Sequence, residues 1–416
     1  MSFELFIALR YLFSKRQQAF ISVISVMSVL GVAIGVGALV VVMGVYNGFT
    51  EDIRNKILGA NSHIFIQSLI PEMLDVNEDG GGGYSDIAEN LKQNPQIKAA
   101  APFLYTEVLF SSPQGATGLI IRGIEPRNAD EALTVLQHLK EGSLDGLIRS
   151  KGVQGIVVGE ELASRFGLRI GSRINLMSPS GERTTAGFVP KIVSYRVAGI
   201  FKSGLNDYDN RLAFISLQSA RELIGVPQGR VSGIEVFLNN PMQAKEIAQA
   251  LQEVLPDYLY VRNWIDINAG LFAALQLERI GMFIVLALIV LVGSFSIITS
   301  LVMLVMEKTK DIAILMSMGA SSSSIGKIFM LQGSLIGFIG TLIGYAGGLL
   351  LAFLLQKYQF IELPAGVYAS DHLPVLITFS DTALIGLASM FMCFLATVYP
   401  ARQAAKLVPA DALRYE

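Results

Sequence analysis

The sequence predicts a membrane α-helical protein with four transmembrane helices and a large α+β domain between helices 1 and 2. Three observations predict it. The chain has 416 residues, of which 52% are hydrophobic and only 16% charged, against about 25% charged in a soluble domain. Of its 32 basic and 34 acidic residues, 48 lie between Asn47 and Arg279. Four windows carry no charge: Gln17–Thr50, Ile280–Met306, Ile328–Gln356 and Thr382–Ala401. Each can cross a bilayer, which takes about 20 apolar residues.

The elements follow in order. Residues 1–19 form an N-terminal arm and 20–46 the first span. Its apolar stretch is far longer than the roughly 7–15-residue core of a cleaved signal peptide, so it is retained. Residues 47–270 form the exported domain. Residues 271–306 hold an amphipathic lead-in and the second span, 307–327 a loop, 328–356 the third span, 357–375 a short loop, 376–399 the fourth span and 400–416 a tail. Lys and Arg gather in the arm (Arg10, Lys15, Arg16), the 307–327 loop (Lys308, Lys310, Lys327) and the tail (Arg402, Lys406, Arg414). The positive-inside rule puts these in the cytoplasm. Both termini are then cytoplasmic and the large domain lies outside.

The exported domain reads as two subdomains. Segments 47–145 and 230–270 alternate between strand and helix patterns. Residues 150–228, richer in short strands, read as an insert. The acidic, glycine-rich stretch Pro71–Gly83 reads as a solvated loop without calcium-site spacing. Pro179–Pro190 reads as a long turn protruding between two strands. Trp264–Glu278 reads as one amphipathic helix feeding the second span, with Leu271, Phe272 and Leu275 on one face. The only cysteine, Cys393, lies in the fourth span, so no internal disulfide braces the exported domain.

Catalytic chemistry is not legible. His63, His138 and His372 stand apart from one another and from Cys393, without metal-ligand spacing. No nucleophile elbow is present. Gly319–Lys327 imitates a phosphate loop but has Ser321 and Ile328 where the pattern demands Gly and Ser or Thr. The chain is expected to be a non-catalytic membrane subunit without cofactor or metal. No ionisable residue sits in the middle of a span, which argues against an ion-coupled carrier. A net charge of −2 gives no nucleic-acid surface. Gly31 and Gly35, and the stripe Gly333, Gly337, Gly340, Gly344, Gly347 and Gly348, suit close helix packing.

The 307–327 loop is more informative. Glu307, Lys308 and Asp311 precede Ile312, Ala313, Ile314, Leu315 and Met318. Gly319 suits a helix C-cap before Ala320, and Ser321–Ser324 can cap the next helix. A short rigid helix at the cytoplasmic face can pass a push from a partner into two spans.

The order of one span, a large exported domain and three spans, with Glu307-Lys308 and Ile312-Ala313-Ile314-Leu315 after the second span, resembles the MacB/FtsX-like permease superfamily of ABC transporters. Leu9-Arg10-Tyr11-Leu12, Tyr46-Asn47-Gly48-Phe49 with Ile57-Leu58-Gly59, Gln332-Gly333, Tyr399–Ala405 and Pro409–Glu416 resemble its LolC/LolE lipoprotein-releasing branch. The resemblance covers the whole chain.

That resemblance implies a Porter-like subdomain (47–145 and 230–270) and a Sabre-like insert (150–228). It implies a second LolC/LolE-type permease, two copies of a LolD-like ATPase docked on the 307–320 segment, acylated lipoproteins as substrate and a LolA-like periplasmic chaperone. The setting is the inner membrane of a Gram-negative-type bacterium. Pro179, Gly187, Phe188, Val189 and Pro190 lie where the chaperone-recruiting hook would be. One sixteen-carbon chain costs on the order of 12 kcal/mol to expose to water, at about 0.8 kcal/mol per CH₂. Extraction from membrane lipid therefore needs a continuous apolar route, expected between the outer ends of the first and second spans. Val42, Tyr46, Phe49, Leu271, Phe272 and Leu275 are its candidate lining. The alternatives are an FtsX-like permease that transmits ATPase motion to a cell-wall hydrolase and a MacB-like efflux permease.

Overall fold

The computed structural model describes residues 3–13, 19–68, 83–112, 114–126, 133–137, 139–148, 153–184, 187–359, 361, 363 and 372–408. His138, most of Pro71–Gly83 and the tail from Pro409 lie outside the described residues. The principal helices are α1 (Phe3–Phe13), α2 (Ala19–Ala60), α3 (Tyr84–Lys92), α4 (Glu160–Phe166), α5 (Leu217–Ile224), α6 (Ala244–Val254), α7 (Ala269–Glu307), α8 (Thr309–Ser317), α9 (Ser322–Tyr358) and α10 (Phe379–Ala405). Among the described residues, α2, α7, α9 and α10 are long and apolar enough to cross a membrane. The chain divides into two compact units, one built from residues up to Thr50 with Ala274–Glu362 and His372–Glu416, the other from Glu51–Ala273 with Leu363–Asp371.

In the membrane unit, glycine sets the packing. A Cβ on Gly344 would stand 2.7 Å from the Ala33 carbonyl oxygen, and one on Gly348 3.0 Å from that of Gly37. The stripe of the third span therefore closes onto the first within one chain. Gly333 and Gly337 do the same against Thr397 and Cys393 of α10. Backbones this close replace the hydrophobic drive that lipid cannot supply. Val32, Val36, Leu39, Val290, Ile297, Phe329, Ile336 and Cys393 fill the core between the four helices.

In the exported unit, ten strands form one continuous sheet: β1 (Ile64–Ser68), β2 (Ile97–Ser112), β3 (Gly115–Ile124), β4 (Glu141–Gly142), β5 (Gln154–Gly159), β6 (Arg173–Thr184), β7 (Gly187–Phe201), β8 (Leu212–Ser216), β9 (Gly233–Leu238) and β10 (Leu259–Asn263). The order is β10-β1-β9-β2-β3-β8-β5-β7-β4, with β6 paired to β2 and β7. Helices α3 and α6 cover one face of the first half around Ile64, Ile66, Val236 and Trp264. Helices α4 and α5 cover the second half around Leu104, Phe110, Ile156, Tyr195 and Ile215.

Three elements differ from the sequence reading. β2, inside the 47–145 segment expected to pair only with 230–270, divides its pairing: Ile97–Phe103 pair with β9, while Leu104–Ser112 pair with β3 and Leu109–Ser111 also with β6. β3 then runs parallel to β8 of the insert. At 16 residues, β2 is long enough to bridge both halves. The expected long turn at Pro179–Pro190 is a β-ribbon, with Gly181–Thr184 paired to Gly187–Pro190 and a register break between Ser178 and Gly181. Pro179 has no N–H for a ladder and falls within that break. The expected helix over Trp264–Glu278 is interrupted at Asn268 (φ −102°, ψ 22°), and Ala269 begins a new helix that continues to Glu307.

Candidate functional site

The loop after the second span folds as its pattern requires. Lys308 precedes α8 and pairs with Asp311 at 3.1 Å. Ile312 and Ala313 are buried and Leu315 packs against the same core. Ile314 and Met318 point outward, 49% and 79% exposed. Lys310 and Ile314, with Met318 just past the helix end, recur at helical spacing and are all exposed, so they form one outward face. Gly319 takes φ +102° and ends the helix, while the Ala320 N–H donates to the Leu315 carbonyl. Ser321 caps α9 by accepting from the Ser324 N–H. The helix thus has one edge buried in the membrane core and one apolar edge facing outward.

At the other ends of the spans, Tyr46-Asn47-Gly48 forms a node. The Tyr46 hydroxyl donates to the Leu275 carbonyl. Asn47 Nδ2 donates to Asp381 Oδ2 at 2.6 Å. Asp381 also accepts from Arg279 at 2.8 Å and from Thr378 Oγ1 at 2.8 Å. A Cβ on Gly48 would stand 2.5 Å from the Pro374 carbonyl oxygen. The Leu376 N–H donates to the Gly44 carbonyl at 2.8 Å. Three spans are thereby tied by polar contacts.

The six candidate route residues separate. Tyr46 and Leu275 meet through the hydrogen bond. Val42 packs partly into the membrane core, and Phe49 is half-buried on α2. Leu271 is exposed. Phe272 is committed elsewhere, packing edge-on against Trp264 at 5.3 Å in the exported unit's own core. On the ribbon, Val189 is 53% exposed. Gly187, Phe188 and Pro190 are placed on it by backbone register, and Pro179 lies in its register break.

The sequence reading missed Arg279, Thr378 and Asp381, which lie far apart in the chain, and Arg122 with Glu235. Arg122 pairs with Glu235 at 2.5 Å, both almost fully buried. Burial pushes the Glu235 carboxyl above its ordinary value while the guanidinium pulls it back. The pair floors a cavity of about 500 Å³ walled by Phe65, Phe103 and Tyr105. Among the described residues, no group of three or more His, Cys, Asp and Glu gathers to hold a metal.

Residues 25–254 match the MacB-like periplasmic core domain, and 283–409 match the FtsX-like permease C-terminal family. The lipoprotein-releasing system transmembrane protein LolC of Neisseria meningitidis serogroup B is 36% identical over 100% of both chains. LolC of Xylella fastidiosa strain 9a5c is 34% identical over 99% of this chain and 98% of its own. This chain belongs to the LolC/LolE family. LolE of Haemophilus influenzae, at 28% identity over 99% of both chains, shows that the similarity spans both named members. The periplasmic region of MacB from Actinobacillus actinomycetemcomitans aligns with 54% of this chain and 97% of its own at TM-score 0.34 and 14% identity.

Proposed function

We propose that this chain is the permease of an ABC transporter that lifts acylated lipoproteins out of the outer leaflet of the inner membrane and hands them to a periplasmic chaperone. Full-length 36% identity to a LolC protein is the observation that carries the reading. The geometry supports the finer parts. A LolD-like ATPase, two copies per complex, would dock on the exposed Ile314–Met318 edge of α8 and push through buried Ile312 and Ala313 into the spans. A second LolC/LolE-type permease and membrane lipid would cover the apolar outer face of α7, where Val285, Leu288, Val292 and Phe295 are exposed. Both termini would be cytoplasmic. Tyr46 and Leu275 would stand at the mouth of the acyl-chain route, with Val42 and Phe49 beside it. The β6–β7 ribbon would receive a LolA-like chaperone.

The test is an affinity pull-down of the tagged chain from native envelopes in mild detergent, read by mass spectrometry. An ABC ATPase with acylated lipoproteins is expected. An ATPase with a cell-wall hydrolase and no lipoproteins would replace this reading by FtsX-like signalling, and no ATPase would end it.

A further inference from the structure

We propose that Arg122 is the positioning residue that makes the exported sheet follow the helix of the first span. The inference rests on the release reading and adds to it the element through which motion would pass. Helix α2 ends at Ala60, and the last carbonyls of any helix lack intrahelical partners. Arg122 NH1 donates to the Ala60 carbonyl at 2.9 Å, and a guanidinium suits the negative end of the helix dipole. Its other nitrogen holds Glu235 of β9 at 2.5 Å. Its guanidinium carbon lies 5.9 Å from the centre of the Phe214 ring on β8. One side chain on β3 thus touches the helix end, the first half of the sheet and the second half. The link beyond Ala60 is equally short. The His63 N–H donates to the Val236 carbonyl at 3.1 Å, and the His63 carbonyl accepts from the Trp264 N–H at 3.0 Å.

Stability alone is a poor account of the pair. Arg122 Nε and Glu235 Oε1 find no hydrogen-bond partner among the described residues, and buried ion pairs are often replaceable by apolar side chains without loss. What apolar replacements cannot supply is a directional grip on the Ala60 carbonyl.

The test uses the full complex with its ATPase in proteoliposomes, comparing Arg122→Met/Glu235→Met with the unaltered chain. The double variant is expected to assemble and to hydrolyse ATP. Lipoprotein released per ATP is expected to fall about tenfold, the size of a typical coupling between distant sites. Arg122→Lys keeps the charge beside Glu235 but lacks the fork that grips two acceptors, and should show the same uncoupling. A ratio within about twofold of the unaltered chain in either assembled variant overturns the proposal. Failure of both variants to assemble would make the pair a folding determinant and overturn it as well. If the unaltered complex releases nothing, the release reading itself falls, and this role with it.

Discussion

The Tyr46 hydroxyl donates to the backbone carbonyl of Leu275, so the first span is tied to the second by a side chain gripping main chain. The tie does not depend on which residue stands at 275. Tyr46 is buried, whereas Leu275 is only half-buried. The two positions should therefore respond differently to change.

Tyr46→Phe removes one hydrogen bond, worth about 1 kcal/mol. It should lower the thermal midpoint of the detergent-purified complex slightly and leave lipoprotein release working. Leu275→Glu keeps the backbone carbonyl, and with it the tie, but puts charge at the mouth of the proposed acyl-chain route. It should assemble and fail to release. Normal release by Leu275→Glu would remove this position from the route.

The polar node around Asp381 gives a ranked prediction. Asp381 is 15% exposed while its partner Arg279 is 48% exposed. Losing Arg279 removes a solvent-screened ion pair worth about 0–1 kcal/mol. Losing Asp381 also leaves Asn47 and Thr378 only their longer 3.4 Å contact with each other, and should cost about 1–3 kcal/mol. Thermal unfolding of Arg279→Ala and Asp381→Ala should show the acid's removal as the more damaging. Gly48→Ala should be worse than Arg279→Ala, because its methyl meets the Pro374 backbone, which cannot swing aside as a side chain can.

These contacts explain what could and could not be seen in advance. Charge-free windows are legible because lipid excludes charge, and the positive-φ residue Gly319 is legible because glycine tolerates positive φ. The Asp381 node was not legible: Asn47 and Arg279 lie 334 and 102 residues from it in sequence, and no local period links them. The double allegiance of β2 was hidden for a related reason. Burial alternates over Leu104, Val108 and Phe110, which face one core, but not over Ile97 and Ala100, which face another, so no single period runs along the strand. The interruption at Asn268 was hidden because Leu271, Phe272 and Leu275 keep helical spacing beyond it. The resemblance carried by Tyr46-Asn47-Gly48 pointed to this stretch without giving its reason, which is the approach of Pro374 and Asp381.

Exposure on α8 separates docking from folding. Met318→Asp alters a side chain 79% exposed and should leave the permease folded but strip the ATPase from a pull-down. Ile312 is 1% exposed, and Ile312→Asp would bury an unpaired charge at several kcal/mol. It should lower the yield of folded permease. Equal ATPase recovery with Met318→Asp would move the docking surface elsewhere.

The ribbon offers a test of hand-over. Replacing residues 182–189 by a two-residue turn keeps the strand pairing nearer the core, where Asn175–Ser178 face Lys191–Ser194. Lipoprotein should still leave the bilayer in a detergent-trap assay, while transfer to a soluble LolA-like chaperone should fall about tenfold or more, as when an interface anchor is lost. Undiminished transfer would show that the chaperone binds another surface.

His63 makes the exported unit sensitive to acid. Its Nδ1 accepts from the Leu238 N–H at 2.8 Å, which requires an unprotonated nitrogen. Burial first, and then the positive charge of Lys98, lower its pKa from 6.5 to about 4. The folded value lies below the unfolded one, so the unfolded chain takes up a proton first as pH falls. The contribution is complete above about pH 6.5 and is lost as pH drops from there towards 4, on the order of 3 kcal/mol in all. Hydrogen exchange of the 233–238 segment should quicken across that window. His63→Gln keeps an acceptor without titrating, so its exchange should depend less on pH there. Identical pH profiles for the two proteins would show that another group governs the acid response.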